Sequence, residues 1–151
     1  MPDDPGRWPD PDDLPAWTLV QTYHQVARRF HAAFAASGLT AHHFGVLVQL
    51  SREPGASQAA LARAVLVTPQ SMGALLQQMT QLGLVRRPAA VQPGRPIAVE
   101  LTQHGRDVLA STFPRVGAVN APAALGLSET EAVQLNRLLH RVLHHLEEGS
   151  G

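Results

Sequence analysis

SQAALARAVLVTPQSMGALLQQMTQLGLVRRPAAVQPGRPIAVEL, residues 57–101, sets out helix, turn, helix and hairpin in unbroken order. Ser57 stands where a hydroxyl can accept the orphan amide protons of a helix start, and the alanine-rich body over 58–64 favours helix. Val65-Leu66-Val67 ends it. Thr68 and Pro69 follow as N-cap and first helical residue, where a missing N–H costs nothing, and Gly83 supplies a left-handed stop; the second helix is about fifteen residues long. Residues 84–88 and 95–102 then read as two short strands flanking a loop that turns at Pro93-Gly94. The order predicts a helix-turn-helix with a wing.

In the second helix Met72, Leu75, Leu76, Met79 and Leu82 recur at three- and four-residue steps and predict one buried stripe. The opposite face offers Gln70, Ser71, Gln77, Gln78, Thr80 and Gln81, with Gly73 and Ala74 small enough for a surface to approach. Glutamine amides can read adenine edges in a major groove, and a helix N-terminus carrying Thr68 and Ser71 can face a phosphate. An ordinary amphipathic helix with a solvated glutamine face has the same pattern. Arg95, at or just past the hairpin tip, is in reach of a narrow minor groove, and Arg86 and Arg87 are candidates for backbone phosphates; water-facing arginines are the alternative.

These residues resemble the multiple-antibiotic-resistance regulator (MarR) family of bacterial winged-helix repressors, over nearly the whole chain. The resemblance rests on Leu39-Thr40 before a helix, Gln58-Ala59-Ala60-Leu61-Ala62, Thr68-Pro69-Gln70-Ser71-Met72, Leu82-Gly83-Leu84-Val85-Arg86-Arg87, and residues 95–101 followed by Thr102 and Gly105. It implies a mainly α fold with a small β-hairpin wing, in which N- and C-terminal helices dimerise. It also implies double-stranded operator DNA as partner, Ser57, Thr68, Gln70, Ser71, Ala74, Gln77, Arg86, Arg87 and Arg95 as contacts, and a small-molecule effector. The implied pocket lies between the dimerisation helices and the DNA-binding lobe, with Tyr23, Phe30, His42, His43, Phe44 and Phe113 as candidate walls. Core packing or simple exposure is the other reading of each.

The departures matter too. Val91-Gln92-Pro93-Gly94 replaces the family's acidic wing residues, leaving Arg95 alone of an arginine pair and no carboxylate there to brace it. Ala74 stands where many relatives are basic, and no charge occurs between Thr68 and Val85. Fewer phosphate contacts predict weaker, less salt-sensitive binding per subunit.

At 151 residues and 44% hydrophobic content the chain suffices for one domain with a sizeable core. Net charge is zero, which argues against a general polyanion binder, but its distribution is uneven. Residues 40–110 hold six arginines against three carboxylates, whereas 1–39 hold three against five. Positive charge thus gathers in the proposed DNA-binding segment. The absence of cysteine excludes disulfide scaffolds, thiolate zinc sites and thiol-based sensing. With no long apolar run and an acidic start, a cytoplasmic protein is expected.

Residues 1–14, rich in Pro and Asp, are expected to be extended or disordered, with Trp8 as a possible anchor. Residues 15–37 and 103–151 are assigned to a helical dimerisation region and 38–102 to the winged lobe. A first helix carries Leu19, Val20, Tyr23, Val26, Ala27, Phe30 and Phe34 on its apolar side, and a second, capped by Thr40, runs through Leu50 to Pro54-Gly55. Thr102 caps a helix to about Val116, with Pro114 a kink or an early end, and 118–126 reads as loop. Ser128-Glu129-Thr130-Glu131 is a capping box opening the last helix, whose stripe of Leu135, Leu138, Leu139, Val142, Leu143 and Leu146 needs cover from within the subunit or from a two-fold partner.

Among the eight histidines, His140 and His144 lie four apart on one helix face with His145 adjacent, a spacing able to chelate a divalent metal, with Glu147, Glu148 or His42-His43 as further donors. No third ligand is identifiable, so no metal and no cofactor is expected; a metal-responsive regulator remains an alternative. Without a thiol nucleophile, a phosphate loop or paired carboxylates in a cleft, an enzyme is not expected. The other alternative is a winged-helix module used for protein contacts without DNA binding.

Overall fold

The computed structural model describes residues 9–88 and 98–149. Its helices are α1 (Pro15–Ala35), α2 (Ala41–Arg52), α3 (Gln58–Ala64), α4 (Pro69–Gln81), α5 (Gln103–Asn120) and α6 (Glu129–Glu148); β1 (Val85–Arg86) and β2 (Glu100–Leu101) lie between α4 and α5. Short 3-10 turns occupy Pro11–Asp13 and Pro122–Leu125. The arm was expected to be extended or disordered, but Asp10 accepts the Asp12 N–H at 3.0 Å and winds Pro11–Asp13 into a turn. Met1 to Trp8 lie outside the described residues.

Local chemistry starts each helix where the sequence places a cap. Ser57 Oγ accepts from Ala60 N at 3.2 Å, Thr68 Oγ1 from Ser71 N at 3.1 Å, and Thr102 Oγ1 from Gly105 N at 2.9 Å. Ser128 accepts from Glu131 N, while Ser128's backbone N–H and hydroxyl donate back to the Glu131 carboxylate, holding that carboxyl below its ordinary range. Gly38, Gly83 and Gly126 take left-handed conformations as α1, α4 and the second 3-10 turn end.

Two expectations are corrected along α5 and after it. Pro114 neither ends nor shortens the helix, which runs to Asn120, so Ala118 to Asn120 are helical and Pro122–Leu125 form a 3-10 turn where a loop was expected. Proline interrupts a helix by losing one N–H and crowding the carbonyl four residues back. Here that carbonyl belongs to exposed Ala110, and the Arg115 guanidinium donates to the neighbouring Ser111 carbonyl at 3.0 Å.

The core is centred on the winged lobe and takes in side chains of α1 and α5. Val46, Leu47 and Leu50 of α2, Leu61 of α3, Met72, Leu76 and Met79 of α4, Leu84, Val85, Val99 and Leu101 around the hairpin, and Leu109 of α5 are all buried. Each such side chain contributes roughly 1.5–3 kcal/mol of burial. Leu82, assigned to the stripe, is instead exposed at the helix end, and Leu75 is half-buried. Antiparallel β1 and β2 pair Val85 with Leu101 and Arg86 with Glu100, closing the base of the hairpin.

The flanking helices are different. α1 buries only Ala33 and Phe34, and α6 buries nothing. Trp17, Leu19, Val20 and Tyr23 of α1 and Val133, Leu135, Leu138, Leu139, Val142 and Leu143 of α6 are exposed. No single helix among the described residues is long and apolar enough to cross a membrane.

The turn between α3 and α4 carries a strained residue. Leu66 has φ of 57° and is 87% exposed, a conformation in which Cβ crowds the carbonyl oxygen and which glycine adopts freely. Leu66→Gly is therefore expected to stabilise the fold by about 1 kcal/mol, read as a higher urea midpoint; an unchanged or lower midpoint would contradict the strain.

Candidate nucleic-acid interface

The geometry of α4 follows from its two faces. Met72, Leu76 and Met79 are fully buried on a helix that packs on α3 and β1, which forces Gln70, Ser71, Ala74, Gln77, Gln78 and Gln81 outward. Thr68 both caps the helix and donates its hydroxyl to Ser71 Oγ at 2.9 Å, so these two side chains form one polar patch at the positive end of the helix. Ser57, the other capping residue in the assigned set, is half-buried and accepts from Ala60 N.

Two further contacts orient α4. His43, 2% exposed, accepts the Thr40 N–H at Nδ1 (3.2 Å), so its proton sits on Nε2 and is donated to Gln78 Oε1 at 3.3 Å. A residue assigned to a ligand pocket thus completes the α2 capping box and braces the glutamine face. Gln58 was read only as part of a helix, yet its amide donates to the Pro69 carbonyl at 2.9 Å and accepts from Arg87 at 3.0 Å.

The arginines divide. Arg86 faces Glu100 across the ladder, with Nε at 3.1 Å and a terminal nitrogen at 2.9 Å from one carboxylate oxygen. The carboxylate missing from the wing sequence is therefore supplied at the hairpin's base, and Arg86 is charge-paired rather than free for a phosphate. Exposed pairs of this kind are worth about 0–1 kcal/mol, so the pair positions more than it stabilises. Arg87 is exposed and bound to neutral Gln58. Arg95, with the rest of residues 89–97, lies outside the described residues.

Of the six pocket candidates the fold gathers three. Phe30, Phe44 and Phe113 join Phe34 in a continuous aromatic row across α1, α2 and α5, with successive ring centroids 5.6, 4.9 and 5.7 Å apart. Tyr23 is 65% exposed beside His24, His42 is exposed at the start of α2, and His43 points to α4. Hydrophobic periodicity detects each phenylalanine singly; their convergence depends on how the three helices cross. On α6 the His140 and His144 rings stack at 6.1 Å and His144 Nδ1 lies 3.6 Å from Glu147 Oε2. No group of three or more His, Cys, Asp or Glu side chains among the described residues is arranged to hold a metal ion.

The model of the MarR family matches residues 37–96. The HTH-type transcriptional repressor Rv2887 of Mycobacterium tuberculosis is 40% identical over 75 residues, 49% of this chain and 54% of that protein; the match spans about half the length of the curated relative. A solved structure of the Mycobacterium tuberculosis MarR family protein Rv2887 in complex with salicylic acid superposes with a TM-score of 0.69 at 33% identity, covering 87% of this chain and 98% of that one. The same protein in complex with DNA gives 0.69 at 31% identity, covering 86% and 98%.

Proposed function

The chain belongs to the MarR family, and from that membership we propose that it is a dimeric, sequence-specific DNA-binding transcriptional repressor of pseudo-palindromic operators, cytoplasmic and without enzymatic activity. The observation that carries this reading is the outward face of α4, where glutamines and a capped N-terminal turn stand on a fully buried apolar stripe. Such a helix fits a major groove, and two of them about 34 Å apart across a two-fold axis address half-sites one turn apart. Residues 38–102 form the DNA-binding lobe in this reading, and 15–37 with 103–151 supply the dimer contacts.

Thr68, Ser71 and Ser57 take the phosphate-facing positions at the two helix starts, and Ala74 lets the groove floor approach. Gln70 and Gln77 read bases, Arg87 neutralises phosphate, Arg86 contributes only by exchanging Glu100 for DNA, and Arg95 grips from the wing. Gln70→Ala or Gln77→Ala is expected to cost ~1–3 kcal/mol and to relax preference at one half-site position, whereas Arg95→Ala weakens all operators alike. Competitive binding to a set of single-base operator variants separates the two patterns.

The aromatic row between α1, α2 and α5 is the proposed effector site, by analogy with the salicylic acid complex of the Mycobacterium tuberculosis protein. Selection of bound fragments from the native genome, followed by mobility shift at two salt concentrations, tests the whole reading. A discrete operator complex is expected; its absence would leave a winged-helix module for protein contacts.

A further inference from the structure

Beside the outward face of α4 runs an open groove lined by Gln58, Gly73, Gln77, Thr80, Gln81 and Arg87. Gln58 spans it. Its Nε2 donates to the Pro69 carbonyl in the first turn of α4 and its Oε1 accepts from an Arg87 terminal nitrogen, at 2.9 and 3.0 Å. Only one orientation of the amide satisfies both, since a carbonyl cannot donate and a guanidinium cannot accept. Gly73 leaves room for this arrangement: a Cβ there would stand 3.1 Å from Gln58 Nε2.

We propose that Gln58 is a positioning residue for operator binding, tying the start of the recognition helix to Arg87 so that the guanidinium waits at the groove for a backbone phosphate. This rests on the DNA-binding reading above. One N–H of Arg87 is spent on the neutral amide, and the others remain for a phosphate with the full positive charge intact. Arg86 beside it differs in that Glu100 already cancels its charge. Holding a long flexible side chain near its bound position removes part of the ordering cost of binding. The same amide sets where the first turn of α4 sits relative to that cation, so base-reading and phosphate-gripping elements keep one register.

The test is a double-mutant cycle on the genome-selected operator, read by fluorescence anisotropy with Gln58→Ala, Arg87→Ala and the double variant. Gln58→Ala is expected to weaken binding about fivefold in the wild-type background and less than about twofold beside Arg87→Ala. Gln58→Glu, nearly isosteric, keeps the arginine contact but loses the donation to the Pro69 carbonyl and adds a carboxylate where phosphate must come. It is expected to bind more weakly than Gln58→Ala, and to lower the slope of log affinity against log salt by about 0.9 per subunit, as Arg87→Ala does. If Gln58→Ala costs the same factor in both backgrounds, or Gln58→Glu binds as well as wild type, Gln58 is packing alone and this inference fails while the DNA-binding reading stands. If wild type selects no DNA, both fall.

Discussion

Replacing Leu139 and Leu143 together by glutamate is expected to convert the protein from dimer to monomer and to abolish operator binding at concentrations where wild type is saturated. Both side chains stand on α6, at 37% and 50% exposure, on a helix with no buried residue. With Leu19 of α1, Val142 and neighbouring side chains they line an open apolar trough between the first and last helices. An exposed apolar surface of this continuity marks an association face, and a two-fold dimer covers it with the same surface of a second copy. Each leucine buried there contributes about 1.5–3 kcal/mol, and a carboxylate in its place adds a desolvation cost of several kcal/mol. Losing the second half-site lowers operator affinity by about a hundredfold or more. Light scattering reads the mass. Because neither side chain belongs to the buried core of the winged lobe, its helical signal should hold, while the unfolding midpoint loses the concentration-dependent share that dimerisation supplies; a dimeric mass in the variant would refute the assignment of this face.

How much of this could be read from the chain depended on whether the information was local. Ser57, Thr68, Thr102 and Ser128 were legible as caps because the hydroxyl and the amide it serves lie three residues apart, and the stripe of Met72, Leu76 and Met79 because helical period determines which side chains share a face. Thr40 was read as a cap too, but its partner was not: a histidine at the third helical position is an uncommon reciprocal acceptor, so His43 looked like a pocket wall. Leu66 hid a left-handed turn that glycine would have announced. Contacts over long sequence distances were least visible. Arg86 meets Glu100, Arg87 meets Gln58, and Phe44 meets Phe113 only after helix crossings and hairpin register are set, and none of those follows from periodicity. For that reason the recognition helix was foreseen while the side chains that orient it were not.

Gly105→Ala is expected to be strongly destabilising at the junction of α5 with the winged lobe. Gly105 is buried in the first turn of α5, directly after the Thr102 cap, and packs flat against the backbone of Leu84 at the junction of α4 and β1. A methyl group there would overlap the Leu84 carbonyl oxygen and come within 3.0 Å of its carbon and 3.4 Å of its Cα. Those atoms cannot step aside cheaply, because the Leu84 carbonyl accepts the Thr102 N–H at 3.1 Å and the Thr102 hydroxyl at 3.2 Å, while Leu84 N donates to Met79 at 2.9 Å. Relieving the overlap means moving α5 off the hairpin base, which loosens β1 against β2 and the packing of Leu84, Val85 and Leu101 beneath them. Alanine is the better helix former by up to about 1 kcal/mol, and overpacking against fixed backbone costs about 3 kcal/mol, so the clash prevails. The expected result is a fall in the unfolding midpoint corresponding to a net loss of about 2 kcal/mol, with operator affinity falling in parallel as the wing base and α4 lose their shared anchor. A stability equal to wild type would mean that α5 and the hairpin are free to slide, and that the close approach at Gly105 does not hold the wing to the recognition helix.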